Sequence, residues 1–362
     1  MEKGLWDGAY MRILLNGKWH VVLEDGTTGQ MDLPGTLDEN GIGHRDVGAN
    51  QWHPDAVLGN AAGEIDKDAP IATRFTRRHT YEGEARISRK ITVPDYGTDR
   101  LFVLAERARA LRLLVDGEAC AVFRQGTLST PYIFELTGAA PGEHEFTFLS
   151  DNSYPGMPKA AICYSSAATD ETQTNWNGII GDFYLESAPL CGIDDIQLYP
   201  DVAKKAVTAK VLLRNPDKGT GKGFLSFYAE AWNTDRQHKT PVQTVEVDWT
   251  KPEQEFELAL GDKALLWSEF TPALYRLSVS LKTDRSVDTR QATFGLRDFK
   301  TKGRQFTMNG KTTFLRGKHD ACVFPLIAHT AMDVETWRHY FRVAKQYGIN
   351  HYRFHSWCPP EA

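Results

Sequence analysis

Apolar positions alternate with polar ones through most of the first half of the chain. Ile87, Ile91 and Val93 fall on one face of a run that Pro94-Asp95-Tyr96-Gly97 then breaks. His144, Phe146 and Phe148 form a similar set after Pro141-Gly142-Glu143. Between them, 101–104 is a short apolar strand, and 111–115 and 120–123 flank Asp116-Gly117, a dipeptide suited to the positive φ angles of a tight hairpin. A period of two, frequent turn formers and no helical periodicity of useful length predict a β-sandwich or jelly roll from about residue 12 to residue 190.

A second β block follows over 191–298. Strands are predicted at 207–213, 224–231, 244–247, 256–260 and 275–281, separated by turn formers such as Asn215-Pro216-Asp217-Lys218-Gly219. That spacing fits an immunoglobulin-like sandwich, without the tryptophan–disulfide core of antibody domains. The pattern changes over 299–362. A strand is predicted at 313–316, with Lys318, His319 and Asp320 in the loop after it. Asp333 suits a helix N-cap, and Val334, Trp337, Phe341, Ala344 and Tyr347 then recur at helical spacing. Gly348 suits the C-terminal cap, and 349–354 reads as a further strand. Strand–helix–strand of this length is one βαβ unit. Taken alone it would leave Trp337, Tyr340 and Phe341 short of a core, so a chain cut near Lys300 is expected to be at least as stable as the whole.

Composition narrows the function. The net charge of −5 argues against a nucleic-acid partner, which needs clustered Lys and Arg. The run Arg74, Arg77 and Arg78 reads as a solvated face. No apolar run is long enough to span a bilayer, and the N-terminus lacks an apolar signal core, which favours the cytoplasm; a periplasmic or secreted protein whose signal has been removed would look the same. The 5 cysteines (Cys120, Cys163, Cys191, Cys322 and Cys358) are scattered and form no CxxC pair, so free thiols are expected, with neither a disulfide framework nor a zinc site. No cofactor and no metal are expected.

Several segments resemble family 2 glycoside hydrolases, the group of β-galactosidases, β-glucuronidases and β-mannosidases. Leu15-Asn16-Gly17-Lys18-Trp19, Leu33-Pro34-Gly35-Thr36, the segment from Thr80 to Ala85, and Leu113-Leu114-Val115-Asp116-Gly117 resemble successive parts of that family's sugar-binding domain. Asn175-Trp176-Asn177-Gly178-Ile179 resembles the Trp-x-x-Gly-Ile segment near its end. Leu266-Trp267-Ser268, continuing to Pro272-Ala273-Leu274-Tyr275, and then Phe294-Gly295-Leu296-Arg297, resemble motifs of the family's immunoglobulin-like domain. Asn309-Gly310-Lys311, Phe314-Leu315-Arg316-Gly317 and Asn350-His351-Tyr352-Arg353 resemble the start of its (β/α)8 barrel. The correct order over nearly the whole chain is what gives these matches weight.

The resemblance implies a fold of three parts. These are a galactose-binding-like jelly-roll β-sandwich over 1–190, an immunoglobulin-like β-sandwich over 191–298 and the first βαβ unit of a TIM barrel over 299–362. It implies a retaining β-glycosidase as the parent enzyme, acting on oligosaccharides or glycans. The family's two glutamates, which retaining enzymes set about 5 Å apart as acid/base and nucleophile, lie on later barrel strands, so no catalytic residue is assigned here and the chain alone is expected to be inactive. A carbohydrate substrate is the expected partner, and a homo-oligomer is compatible with the reading. A non-catalytic carbohydrate-binding module of two sandwiches is the alternative, as is an interaction module.

By the same resemblance Arg353 matches the strand-two arginine that supports the carboxylates at the barrel's active face. His355 shares a strand face with Arg353 and His351 by the two-residue period. It stands one position earlier than the histidine of the family's Ser-His-Tyr-Pro and is a candidate for a sugar hydroxyl. His319 and Asp320 are candidate substrate contacts, although β-galactosidases resemble Val-Asn-Arg where this chain has Lys318-His319-Asp320. Asp151, Asn152, Asn175 and Trp176 are candidates on loops of the first sandwich, since indole faces stack on sugar C–H groups and amides bind hydroxyls. Trp176 also reads as an ordinary core tryptophan.

Overall fold

The computed structural model describes residues 11–45, 78–97, 99–136, 138–158, 162, 165–166, 168, 172–215, 222–248 and 250–362. They form two compact units, one of 12–45, 78–96, the described part of 101–186, and 316–362, the other of Met11, the described part of 97–100, and that of 187–315. The chain is mainly β, and its long helix spans Val334–Gln346.

In the first of these units two sheets of six strands carry the N-terminal sandwich. One runs in the order Glu118–Ala119, Ala110–Val115, Gly142–Asp151, Glu84–Val93, Gly17–Leu23, Thr28–Leu33. The predicted alternation along its fourth strand is real: Ala85, Ile87, Ile91 and Val93 are buried while Arg86, Lys90 and Thr92 are exposed. In the other sheet the strand Arg100–Arg107 lies between Gly178–Ala188 and Tyr132–Glu135 and is buried along its whole length. Trp19 fills the space between the sheets, its ring 5.5 Å from Phe148 and 5.6 Å from Phe183. Its indole N–H is satisfied by the Leu15 carbonyl at 3.0 Å, so the ring can be buried without an orphaned donor.

Asp116 and Gly117 both take positive φ (51° and 85°), as a two-residue hairpin turn requires. The hairpin is shorter than expected. Glu118–Ala119 pairs back on Ala110–Val115, the Cys120 amide adds one bond to the Leu113 carbonyl, and Ala121–Arg124 then pairs with Tyr132–Glu135 in the other sheet. Phe123 explains the crossing, since its ring packs 5.0 Å from Phe102 of that sheet.

The second unit holds a β-sandwich. A sheet of 3 strands (Gly192–Asp201, Ala206–Arg214, Glu253–Ala259) faces one of 4 (Gln243–Asp248, Lys222–Ala231, Tyr275–Lys282, Val287–Phe294). Val207, Val211, Leu225, Phe227, Leu258, Tyr275 and Leu277 form its core. The meander Phe299–Lys302, Gln305–Met308, Lys311–Thr313 follows it.

Residues 316–362 belong to the first unit. Here the strand expected at 313–316 is displaced. Lys311–Thr313 closes the meander, and the strand parallel to His351–Phe354 is Gly317–Asp320, in the register Gly317↔His351 to Asp320↔Phe354. Hydropathy pointed to Phe314 and Leu315, but Phe314 is exposed, and the backbone pairing is made by a polar tetrapeptide. The helix between the strands is capped as its sequence asks. The Asp333 carboxylate accepts from the Thr336 amide at 2.7 Å. Gly348, at φ 72°, closes a Schellman turn in which the Ile349 N–H reaches the Ala344 carbonyl. None of the described helices is long and apolar enough to cross a membrane.

Candidate functional site

The parallel pair of strands has two unlike faces. Tyr352 and Phe354 turn toward the helix, with ring centroids 5.1 Å from Phe341 and 6.2 Å from Trp337 respectively. Lys318 lies on that side too, its ammonium 4.9 Å from the Tyr352 ring centre. The opposite face carries His319, His351 and Arg353 by alternation, and His355 just beyond the strand joins it. The His319 and His355 ring centroids are 4.8 Å apart, and an Arg353 guanidinium nitrogen is 3.4 Å from His355 Nδ1. An arginine can only donate, so in that contact Nδ1 is the acceptor and any proton on the ring sits at Nε2. His319 and Arg353 are exposed, and His355 is half-buried. A Cβ on Gly317 would stand 2.4 Å from the His351 ring, so glycine is what lets that imidazole lie across the first strand.

Asp320 is placed differently. It is buried, paired with Lys318, and its other oxygen accepts the Cys322 amide at 2.9 Å. Its carbonyl takes both the His355 amide (2.7 Å) and the Trp357 indole N–H (3.1 Å). Asp320 therefore ties the ends of the two strands together from beneath the exposed face.

The candidates from the sandwich loops are engaged with one another. Asn152 is 1% exposed; its amide oxygen accepts the Gly83 amide, and its nitrogen donates to the Tyr81 and Asn175 carbonyls. Asn175 returns a bond to the Asn152 carbonyl and accepts one from the Tyr154 hydroxyl. Asp151 closes a turn on Ser153. Trp176 is buried, with the Arg109 guanidinium 4.2 Å above its ring, His329 at 6.3 Å and its N–H on Gln173. These polar groups spend their hydrogen bonds on shaping the loops.

Those loops hold the segment after Gly317–Asp320. Thr174 donates from its amide and its hydroxyl to the Ala328 carbonyl, and Ala328 sits at φ 62°. Ser165 donates to the carbonyl of Ser356, at φ 57°. Glu39 follows Thr36 in a reciprocal cap, accepting the Thr36 amide at 2.8 Å while its own amide donates to the Thr36 hydroxyl; its other oxygen meets His329 Nε2 at 3.1 Å. Sequence reasoning passed over Glu39, Glu106, Arg107, Arg109 and His329. The only signal was Glu106-Arg107-Ala108-Arg109 closing an apolar strand, a charge density that a buried strand end tolerates only with partners.

Burial pushes the Glu39 carboxyl up, but the His329 bond and charge and the Thr36 bonds outweigh it, leaving the group below its ordinary value. A carboxyl depressed by folding adds stability above its unfolded pKa, near 4.5, and loses it as pH falls through the depressed value. Glu39→Gln is therefore expected to melt below the parent chain at neutral pH, by at most about 1 kcal/mol for a half-exposed pair. Melting curves taken from pH 7 to pH 3 should converge; a gap that stays constant or widens at low pH would count against the assignment.

Among the described residues no group of three His, Cys, Asp or Glu is arranged to hold a metal. The described thiols of Cys120, Cys322 and Cys358 are free, and burial pushes the Cys120 thiol up to about 11. Cys163 lies outside the described residues, as do Arg74 and Arg77 of the basic run.

Residues 191–297 match the family described as glycosyl hydrolases family 2. No curated protein sequence matches the chain. Among solved structures, an FMN-binding beta-glucuronidase from Facaelibacterium prausnitzii L2-6 aligns with TM-score 0.66 and 18% identity, over 96% of this chain and 49% of its own. A family 2 beta-galacturonidase from Eisenbergiella tayi, bound to galacturonate, aligns at 0.64 and 19%, over 98% and 55%. A beta-glycosidase from Bacteroides vulgatus aligns at 0.65 and 15%, over 95% and 41%. The chain thus spans about half the length of these proteins. The resemblance to family 2 read from the sequence is borne out, and so is the β-sandwich-rich fold of its N-terminal portion.

Proposed function

We propose that this chain, whose residues 191–297 match the glycosyl hydrolases family 2, is the N-terminal portion of a retaining β-glycosidase that cleaves O-glycosidic bonds in oligosaccharides or glycans. The observation that carries the reading is the pairing of that match with a parallel strand–helix–strand unit, the repeat from which a (β/α)8 barrel is built. In such a barrel chemistry collects where strands end, and His319, Arg353 and His355 stand at or just past the ends of these two. The reaction needs a carboxylic acid to protonate the leaving oxygen and a carboxylate about 5 Å away to attack the anomeric carbon. Both belong to later strands on this reading. Arg353 would orient the nucleophile and keep it ionised, since a nearby cation favours the charged form. His319 and His355 would meet sugar hydroxyls. An open groove of about 300 Å³ along Phe341, Ala344, Ile349, His351, Tyr352 and Phe354 is where further barrel elements would pack.

The test is a panel of nitrophenyl β-glycosides, offered to this chain and to a protein extended through the coding sequence that follows it. The extended protein is expected to release nitrophenol and this chain none. Arg353→Ala in the folded, extended protein is expected to lower kcat/KM by at least about a hundredfold, which corresponds to about 2.7 kcal/mol. Sugar binding without turnover by the extended protein would favour the carbohydrate-binding module instead.

A further inference from the structure

The strand Arg100–Arg107 ends in two adjacent charged residues that are almost fully buried, Glu106 at 6% and Arg107 at 5% exposure. Burying a charge is costly unless it is paired or hydrogen-bonded, so their partners matter. One Glu106 oxygen accepts the Asp182 amide of the same sandwich at 2.9 Å, and the other accepts the Glu361 amide at 3.0 Å. Arg107 donates to the Glu106 carbonyl and, at 2.8 Å, to the Pro359 carbonyl. Burial lowers its pKa, opposed by the Glu106 and Glu361 charges. Two neighbouring side chains thus hold one main-chain donor and one main-chain acceptor of the segment that follows His351–Phe354.

The sandwich keeps space for this contact. Gly181, at φ 80°, lies against the Glu106 carboxylate; a Cβ there would fall 2.3 Å from its Oε2 and 2.3 Å from the Met332 methyl. With Ser165 on the Ser356 carbonyl, three sandwich side chains fix residues 356–361. The near end of that segment is His355, whose amide is fixed on Asp320 and whose ring stands beside His319 and Arg353.

We propose that Glu106 and Arg107 are positioning residues: a latch that fixes the 355–361 segment and thereby aims the His355 imidazole on the substrate face. This rests on the reading of that face given under the proposed function. The latch never touches substrate; it sets the direction of a ring that does.

The test uses the whole 362-residue chain, uniformly isotope-labelled. In Glu106→Gln one oxygen still accepts from Asp182, whose strand is held in the sheet, and the new amide nitrogen faces the Glu361 N–H. Exchange of the Glu361 amide should speed up at least tenfold. The His355 ring resonance should move, and the cross-relaxation between the His319 and His355 rings should weaken. Arg107→Met should do the same, with Arg107→Lys, which can still donate to the Pro359 carbonyl, partly restoring the parent spectrum. Leu23→Ala, a buried change in the same sandwich outside the latch, should lower the melting temperature without moving the His355 signal.

An unmoved His355 resonance in folded Glu106→Gln, or an equal movement in Leu23→Ala, would overturn the proposal and leave the pair a plain stability element. Should Arg107→Met fail to fold, the isosteric Glu106→Gln decides alone. Titration of the unsubstituted chain with β-glycosides scores the substrate face separately: no sugar contact at its His355 ring refutes that reading and leaves the latch measurements standing.

Discussion

A chain ending at Leu315 is expected to melt well below the full one, with the loss in the N-terminal sandwich. Sequence alone suggested the opposite, because one βαβ unit cannot bury its own apolar faces. The structure supplies the missing half. Cys322, Phe324, Ala331, Trp337 and Trp357 form a buried cluster, and Leu128 from a sandwich loop packs against it. The cut would also strip Thr174, Ser165, Glu106, Arg107 and Glu39 of the partners described above. A net hydrogen bond contributes about 1 kcal/mol. Four or five of them, together with the apolar contact and less what rehydration of the freed groups returns, come to about 3 kcal/mol. For a unit of this size 1 kcal/mol shifts the melting temperature by about 2–4 °C, so a fall on the order of 6–12 °C is expected. Calorimetry of the full and shortened chains measures it. An unchanged transition would mean that 316–362 contributes nothing to the sandwich.

What was legible follows from how local each signal is. The alternation of Ile87, Ile91 and Val93, the Asp116-Gly117 turn and the Asp333 and Gly348 caps need only a few neighbouring residues, and each matches the structure. Gly317–Asp320 was misread because a glycine and three polar residues carry no apolar stripe, and only the pairing with His351–Phe354 makes them a strand. Ala121–Arg124 was misassigned because sheet membership is decided by a contact with Phe102, remote in sequence. The two-residue period gathers His351, Arg353 and His355 on one face, but it cannot say that His319 lies beside them. Nor can spacing show that Asn152 and Asn175 satisfy each other, since their bonds span 23 residues. Glu106 meeting Glu361 is further still from any local pattern.

The largest single-residue effect on stability is expected in the second β-sandwich, at Asp288. Its side chain is fully buried, 0% exposed, on the strand Val287–Phe294. One oxygen accepts the Ile193 amide at 2.7 Å, and the other lies 3.3 Å from Arg290 Nε. A Cβ on Gly192 would come within 2.3 Å of the carboxylate, so the neighbouring strand is built around it. Arg214, buried and paired with Asp194, adds a further positive charge nearby, and burial there lowers its pKa. Removing one member of a buried ion pair costs about 3–5 kcal/mol, because the charge left behind has lost its hydration as well as its partner. Asp288→Ala should therefore lower the transition of this unit by on the order of 10 °C or more. Asp288→Asn should fall between, since an amide oxygen still accepts from Ile193 but brings no charge to Arg290. If the penalty comes from the buried charge left without its partner, replacing both groups with apolar ones should recover most of it. Asp288→Leu with Arg290→Met is accordingly expected to melt above Asp288→Ala. A double variant that melts no higher than the single one would locate the loss in the Ile193 bond and the strand geometry, not in the arginine.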